Sequence, residues 1–537
     1  MAEPGGYGGR LLRTSSTVVV TAALLISGCA SGTATPRAAA SVRSQSPADT
    51  GDAAGPEQRF APLPTELPVE LRPYYAQKLT WRSCAGDRFE CATLRAPLDY
   101  DRPRAGGDLK LAVSRKKATG PGKRLGSLLV NPGGPGGSAV GYLQAYAGTR
   151  YPAAVRARYD MIAVDPRGVA GSEPVSCLSD ADMDAYTRVD MSPDSPSEVG
   201  ELTDAYRTFA DGCAKRSGKV LGHVSTVEAA RDMDVLRAAL GDDKLHYVGA
   251  SYGTFLGATY AGLFPSRVGH LVLDGALDPS LDARRVNRDQ TAGFQTAFES
   301  FAKDCVGRAD CPLGTGSTAA AGDRLKDLFQ RIDTHPVPTG TPRELTESLA
   351  TTGVISAMYD ERAWPLLRAA LRAARNNDGS TLLKLSDAYY ERDQRGSYAN
   401  LMYANSAVNC LDLPPAFRNP AEVHSAVADF KEASPVFGES LAWAALSCAY
   451  WSVPATGRPH RIEAQGAAPI LVVGTTRDPA TPYAWARALA SQLSSGHLLT
   501  YEGDGHTAYT RGSECVDTTI NDYLLTTTPP PAARKCT

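Results

Sequence analysis

The sequence predicts an α/β fold: a mostly parallel central sheet, interrupted by a helical insertion that serves as a lid. Three observations carry this reading. Short apolar runs without polar alternation recur along the chain. Each ends in a loop rich in Gly and Asp, and helical sequence usually follows. Continuous apolar runs belong to strands buried on both faces, as in a parallel sheet covered by helices. In such sheets the functional groups gather at the carboxyl ends of the strands.

In chain order, residues 1–29 read as a signal. Arg10 and Arg13 provide a positive start, and the apolar stretch at 17–26 is too short to cross a bilayer, which needs about 20 residues. The stretch ends Ile26-Ser27-Gly28-Cys29, then Ala30-Ser31, which resembles a bacterial lipobox with Cys29 as the lipidated mature N-terminus. A plain secretory signal with an incidental cysteine is the other reading. Residues 30–60 are rich in Ala, Ser, Pro, Gly and Thr and lack the large apolar residues that a packed core requires, so a flexible tether is expected there.

Of the 11 cysteines, setting Cys29 aside leaves ten: Cys84, Cys91, Cys177, Cys213, Cys305, Cys311, Cys410, Cys448, Cys515 and Cys536. An even number in an exported chain suggests disulfides. Short separations favour the sequential pairs 84–91, 177–213, 305–311, 410–448 and 515–536, although sequence cannot fix connectivity. No C-x-x-C pair or His/Cys cluster argues for a metal, and no cofactor motif is present. The net charge of −2 and the lack of a basic run speak against nucleic acid. The membrane is expected as a partner only through the N-terminal lipid, and a monomer is expected.

Strands are expected at 89–94 and 109–114, alternating runs that suit an antiparallel pair. Further strands are expected at 127–130, running into "NPGGPGGS", and at 159–164, into "DPRGVAGS". Those at 245–248, 270–273, 469–473 and 498–501 run into "GASYG", "DGALDP", "GTTRDPATP" and "EGDGH". Between about 280 and 465 the sequence is Ala-, Leu- and Arg-rich with helical spacing, as in "ERAWPLLRAALRAARNN" at 361–377. The expected organisation is core at 61–279, helical lid at 280–465 and core again at 466–537.

The chemistry starts from Gly249-Ala250-Ser251-Tyr252-Gly253. A G-x-S-x-G pentapeptide is weak evidence in a chain with 50 glycines. Placed between a β-run and the helical "TFLGATYAGLFP", it becomes a nucleophile elbow, with Ser251 on a strained turn at a helix N-terminus. A serine needs a base. Of the eight histidines, His506 alone sits in a glycine-rich loop after a strand, whereas His246 lies inside the strand before the elbow. The base needs an orienting carboxylate. Asp478 follows the strand before that of His506, and Asp504 competes but stands too close to His506 in sequence to face it easily. The order Ser251, Asp478, His506 is that of the α/β-hydrolase triads. Thr481 caps the next helix or steadies the Asp478 loop. For the oxyanion, one donor is expected from the backbone of Tyr252 and one from the glycine-rich 131–138 loop.

Together, "NPGGPGGS", "DPRGVAGS", "GASYGT", "TTRDPATP" and "GDGHTAY" resemble, in order, the blocks of the proline iminopeptidases, and more closely those of secreted tripeptidyl aminopeptidases of high-GC bacteria. The likeness covers roughly 80–537. It implies an α/β-hydrolase fold with a helical cap and the release of short peptides from free N-termini. It also implies the triad Ser251, Asp478 and His506, with Tyr252 and Gly134 as oxyanion donors. Pro132 replaces the histidine of the family's H-G-G-P-G motif, and Ala170 stands where glycine is usual. An exo-acting aminopeptidase must hold an ammonium, for which Asp412 is a candidate, a solvated loop carboxylate being the plainer role. The expected protein is an exported serine exopeptidase acting on oligopeptides. An esterase or lipase on the same scaffold and a non-catalytic peptide-binding surface lipoprotein are the alternatives.

Overall fold

The computed structural model describes residues 60–526, 528–531 and 533–537. The expected signal, Cys29 and nearly all of the tether lie outside the described residues. Among the described residues ten strands form one sheet: β1 (Arg82–Cys84), β2 (Phe89–Pro97), β3 (Asp108–Lys116), β4 (Gly126–Asn131), β5 (Tyr159–Val164), β6 (Leu245–Ala250), β7 (Val268–Asp274), β8 (Ile470–Arg477), β9 (Gly496–Asp504) and β10 (Arg534–Cys536). The spatial order is β1-β2-β3-β5-β4-β6-β7-β8-β9-β10. β1 to β3 pair antiparallel, β3 meets β5 antiparallel, and every other neighbour is parallel.

All eight expected strands are present. The two additions, β1 and β10, are three-residue edge strands, each ending in a cysteine. The apolar runs are continuous because successive residues face two separate cores. Tyr247, Leu271, Ile470 and Val472 pack in one, while Val248, Val272, Leu471 and Val473 pack in the other. β4 and β5 are buried at every position.

Between β7 and β8 the chain is mainly helical, from Ala283–Val306 to Gly438–Ala444. This segment has its own core, built on Phe294, Phe298, Phe301, Leu349, Leu367 and Phe437. The Arg-rich stretch expected as helix forms Trp364–Arg375, with Leu367, Ala370, Leu371 and Ala374 on its buried stripe. Five disulfides join each of the ten described cysteines to its sequence neighbour: 84–91, 177–213, 305–311, 410–448 and 515–536. Disulfides of this number are characteristic of chains that fold in an oxidising compartment.

Candidate active site

The sheet order reverses at β4. β5 lies on one side of it and β6 on the other, so the loops leaving β4 and β6 splay apart over a crevice. Those two loops are "NPGGPGGS" and the turn at Ser251. Ser251 has φ 56° and ψ −126°, the strained geometry of a sharp strand-to-helix turn, and its side chain does not cap the adjoining helix Tyr252–Leu263. Its backbone N–H donates to Asp274 O at 2.9 Å. Gly249 allows the turn, because a Cβ there would come within 2.4 Å of Gly253 O.

Asp478 follows β8, and only 2% of it is exposed. Its Oδ1 accepts the backbone N–H groups of Ala480 and Thr481, each at 2.9 Å, and its Oδ2 accepts that of Thr507 at 3.1 Å. Both oxygens face His506 Nδ1, at 2.8 and 3.0 Å. Thr481 Oγ1 lies 3.4 Å from the same nitrogen. Asp504 is turned away and forms a two-point pair with Arg477 at 2.7 and 2.8 Å. His246 is half-buried within β6, its Nδ1 accepting from His270 N. His506 Nε2 is buried and has no hydrogen-bond partner among the described residues, so it does not bond Ser251 Oγ in this state. Such contacts often tighten only when substrate is bound.

The glycine loop lies directly on the elbow. A Cβ on Gly133 would stand 2.4 Å from Ala250 O, 2.9 Å from Ser251 Cβ and 3.0 Å from Tyr252 N. The Gly133 N–H is already taken by Asn131 Oδ1 at 2.8 Å. Asp165, from "DPRGVAGS", fixes the far side of this loop by accepting from Ser138 Oγ and Val140 N. Arg167 of the same motif is fully buried, donates to Asp232 through two nitrogens at 2.7 Å, and also binds the carbonyls of Pro97, Leu98 and His223. That motif is scaffold. Ala170 has φ 42°, which explains why glycine suits the position.

A cavity of about 440 Å³ opens beside Ser251, Tyr252 and Gly134. Most of its wall is aromatic or aliphatic, and among its described lining residues Asp278 and Asp412 are the only charged side chains. Asp412 accepts Thr226 N at 2.8 Å and the Thr226 hydroxyl, which also meets Tyr252 OH. Burial pushes its carboxyl up to about 7. No group of three or more His, Cys, Asp or Glu that could hold a metal occurs among the described residues.

Sequence reasoning missed two contributors. Asp274, at the end of β7, is buried and accepts Ala508 N at 3.0 Å and Tyr509 N at 2.9 Å, joining the Ser251 and His506 loops. Burial raises its carboxyl to about 6. Its place in the strand-end loop "DGALDP" was the signal that could have found it. The other is the contact of Tyr359 with His506, which joins segments too far apart in sequence to leave any local pattern.

The strand order and the strand–turn–helix at Ser251 define an α/β-hydrolase. Residues 434–536 match the family model described as TAP-like protein. Serine protease Hip1 of Mycobacterium tuberculosis is 40% identical over 491 residues, spanning 86% of this chain and 92% of the relative. Carboxylesterase B of the same species is 41% identical over 479 residues, spanning 86% and 91%. Tripeptidyl aminopeptidase of Streptomyces lividans is 32% identical over 483 residues, spanning 83% and 84%. The chain belongs to the tripeptidyl aminopeptidase-related family of α/β-hydrolase serine peptidases, and is a serine hydrolase.

Proposed function

We propose that the protein is a serine exopeptidase that releases di- or tripeptides from the free N-termini of oligopeptides through an acyl-enzyme. The observation that carries this reading is the Asp478–His506 pair, whose loop Asp274 joins to a strained serine at the edge of a cavity with no cation among its described lining residues. Ser251 Oγ attacks the scissile carbonyl carbon, and His506 Nε2 takes its proton. Asp478 holds Nδ1 protonated and steadies the imidazolium. The tetrahedral oxyanion is received by the N–H groups of Tyr252 and Gly134, neither of which has an acceptor among the described residues. The imidazolium then protonates the departing amine. Water, activated by the same nitrogen, hydrolyses the acyl-enzyme and frees the short peptide.

Charge in the cavity favours the amino end of a substrate. No described wall residue offers a cation to a peptide carboxylate, whereas Asp412 and Asp278 can face an ammonium. An arriving ammonium would favour the ionised form of Asp412 that burial opposes. Chromogenic anilides of one, two and three residues, with free and acetylated N-termini, test this. Equal cleavage of the acetylated peptides would remove the aminopeptidase assignment. A fluorophosphonate should label the wild type and not Ser251→Ala; labelling that survives the substitution would remove Ser251 as nucleophile.

The esterase reading is favoured by one observation, the 41% identity to a relative named as a carboxylesterase. A larger kcat/KM on short acyl esters than on tripeptide anilides would select it. We also propose that Cys29 carries the lipid that tethers the body to the outer face of the cell membrane. Release of Cys29→Ser into the medium is the expected outcome, and retention of that variant on the membrane would refute it.

A further inference from the structure

The loop that carries His506 is bonded to more than Asp478. The backbone N–H of His506 donates to Tyr359 O at 2.9 Å. Tyr359 is the C-terminal cap residue of the helix Glu347–Met358, inside the segment between β7 and β8. Its carbonyl lies at the negative end of that helix, where orphan acceptors need donors and a cation is favoured. Arg511 supplies both. Its Nη1 donates to Tyr359 O at 3.0 Å and to His506 O at 2.7 Å. Its Nη2 reaches Asp360 at 3.2 Å and Glu361 at 2.5 Å. The Tyr359 ring stands edge-on to the imidazole, with centroids 5.4 Å apart and planes at 89°, and it also borders the substrate cavity.

The glycine before the histidine belongs to the same arrangement. Gly505 has φ 90°, and a Cβ there would lie 2.4 Å from Arg511 Nη2 and 2.8 Å from Glu361 Oε2. One function of the glycine in "GDGH" is therefore to leave room for the guanidinium.

We infer that Arg511 is a positioning residue for the reaction: it fastens the His506 loop to the end of the helix Glu347–Met358, so that the insertion as well as Asp478 orients the imidazole. The inference rests on His506 being the general base. Its physical basis is the planar fork of arginine, which reaches two backbone carbonyls and two carboxylates at once. A lysine ammonium, a point charge on a flexible stem, cannot do this. With the fork removed, Asp478 still holds Nδ1, but the backbone beneath the ring loses one of its two ties to Tyr359 O. Nε2 then samples positions away from the serine. Arg511 does not line the cavity, so substrate affinity should change little.

The test compares Arg511→Ala, Arg511→Lys and His506→Ala on a tripeptide anilide, with thermal melting recorded for each. In Arg511→Ala, kcat should fall by about 10- to 100-fold, the scale of a misplacement near 1 Å, with KM within about threefold of wild type. Arg511→Lys should recover only a small part of the rate. Low-millimolar methylguanidinium should partly restore kcat in Arg511→Ala and leave the wild type unchanged. A purely structural role would not produce that rescue. A kcat within twofold of wild type in Arg511→Ala overturns the inference, as does a loss expressed wholly in KM. If Arg511→Ala does not fold, Glu361→Ala removes the partly exposed anchor instead. A severalfold loss of kcat at constant KM then supports the inference, and an unchanged kcat overturns it. His506→Ala separates the two levels: hydrolysis surviving in that variant refutes the proposed mechanism itself, whatever Arg511 does.

Discussion

Replacing Asp478 by asparagine removes one charge and keeps the shape, and the hydrogen bonds around the carboxylate set the outcome. Oδ1 accepts two backbone N–H groups, from Ala480 and Thr481, while Oδ2 accepts one, from Thr507. The amide must set its oxygen at the Oδ1 position, because the opposite flip would point its NH2 at two donors. That choice leaves the Thr507 N–H without an acceptor, at a cost of about 1–3 kcal/mol. It also puts a donor where Oδ2 stood, 3.0 Å from His506 Nδ1, in competition with the oxygen kept at 2.8 Å, and so populates the tautomer that carries its proton on Nε2. An imidazole in that form cannot take the proton from Ser251. The expected fall in kcat is about 10⁴-fold, about 5.5 kcal/mol of barrier. A domain with about 5–15 kcal/mol of stability remains folded after the smaller loss, so rate and stability separate cleanly. Turnover on a peptide anilide and fluorophosphonate labelling rates should both collapse, while the melting temperature shifts by only several degrees. Activity within tenfold of wild type in a folded Asp478→Asn would refute the tautomer argument and return the orienting role to another group.

Gly133→Ala should lower kcat by about 10²–10³-fold, the usual effect of losing one oxyanion donor, because its methyl group must displace Ala250 O or the Tyr252 amide; steady-state kinetics on the folded variant checks this. Removing the 410–448 disulfide as Cys410→Ser/Cys448→Ser frees a loop with a sequence separation of 38 and should cost about 4 kcal/mol by the chain-entropy model, read from denaturant unfolding. For Asp412 the folded-state pKa is raised, from its ordinary 3.8 to about 7. Its contribution to stability is therefore complete below about pH 4 and is lost as pH rises to 7. Melting temperatures at pH 5 and pH 8 should fall by less in Asp412→Asn than in wild type, by the equivalent of a few kcal/mol, and parallel falls would contradict the burial argument.

The sheet was legible because burial on two faces writes itself into every residue of a strand. Six of the eight principal strands appear as apolar runs and the other two, β2 and β3, as alternation, and the strand-end loops carry Ser251, Asp478 and His506. What escaped were β1 and β10, three residues each and too short for any periodicity to show. Hydrogen-bond commitment escaped as well. Sequence could rank Asp478 above Asp504 only by spacing, whereas the fold decides between them by giving Asp504 to Arg477 and aiming Asp478 at the imidazole. The glycine loop could be assigned to oxyanion chemistry from composition, but the commitment of the Gly133 N–H to Asn131 appears only in three dimensions.

Sequence by itself determined the fold class and singled out Ser251, Asp478 and His506 as the candidate reactive side chains, because local propensity, burial pattern and turn chemistry are properties of neighbouring residues. Tertiary structure decided the cation-free cavity, the Thr226 bonds that hold Asp412, the clamp of Asp274 between two loops, and the hold of Tyr359 and Arg511 on His506. Each of those brings together groups far apart along the chain, and only the closed fold sets such distances.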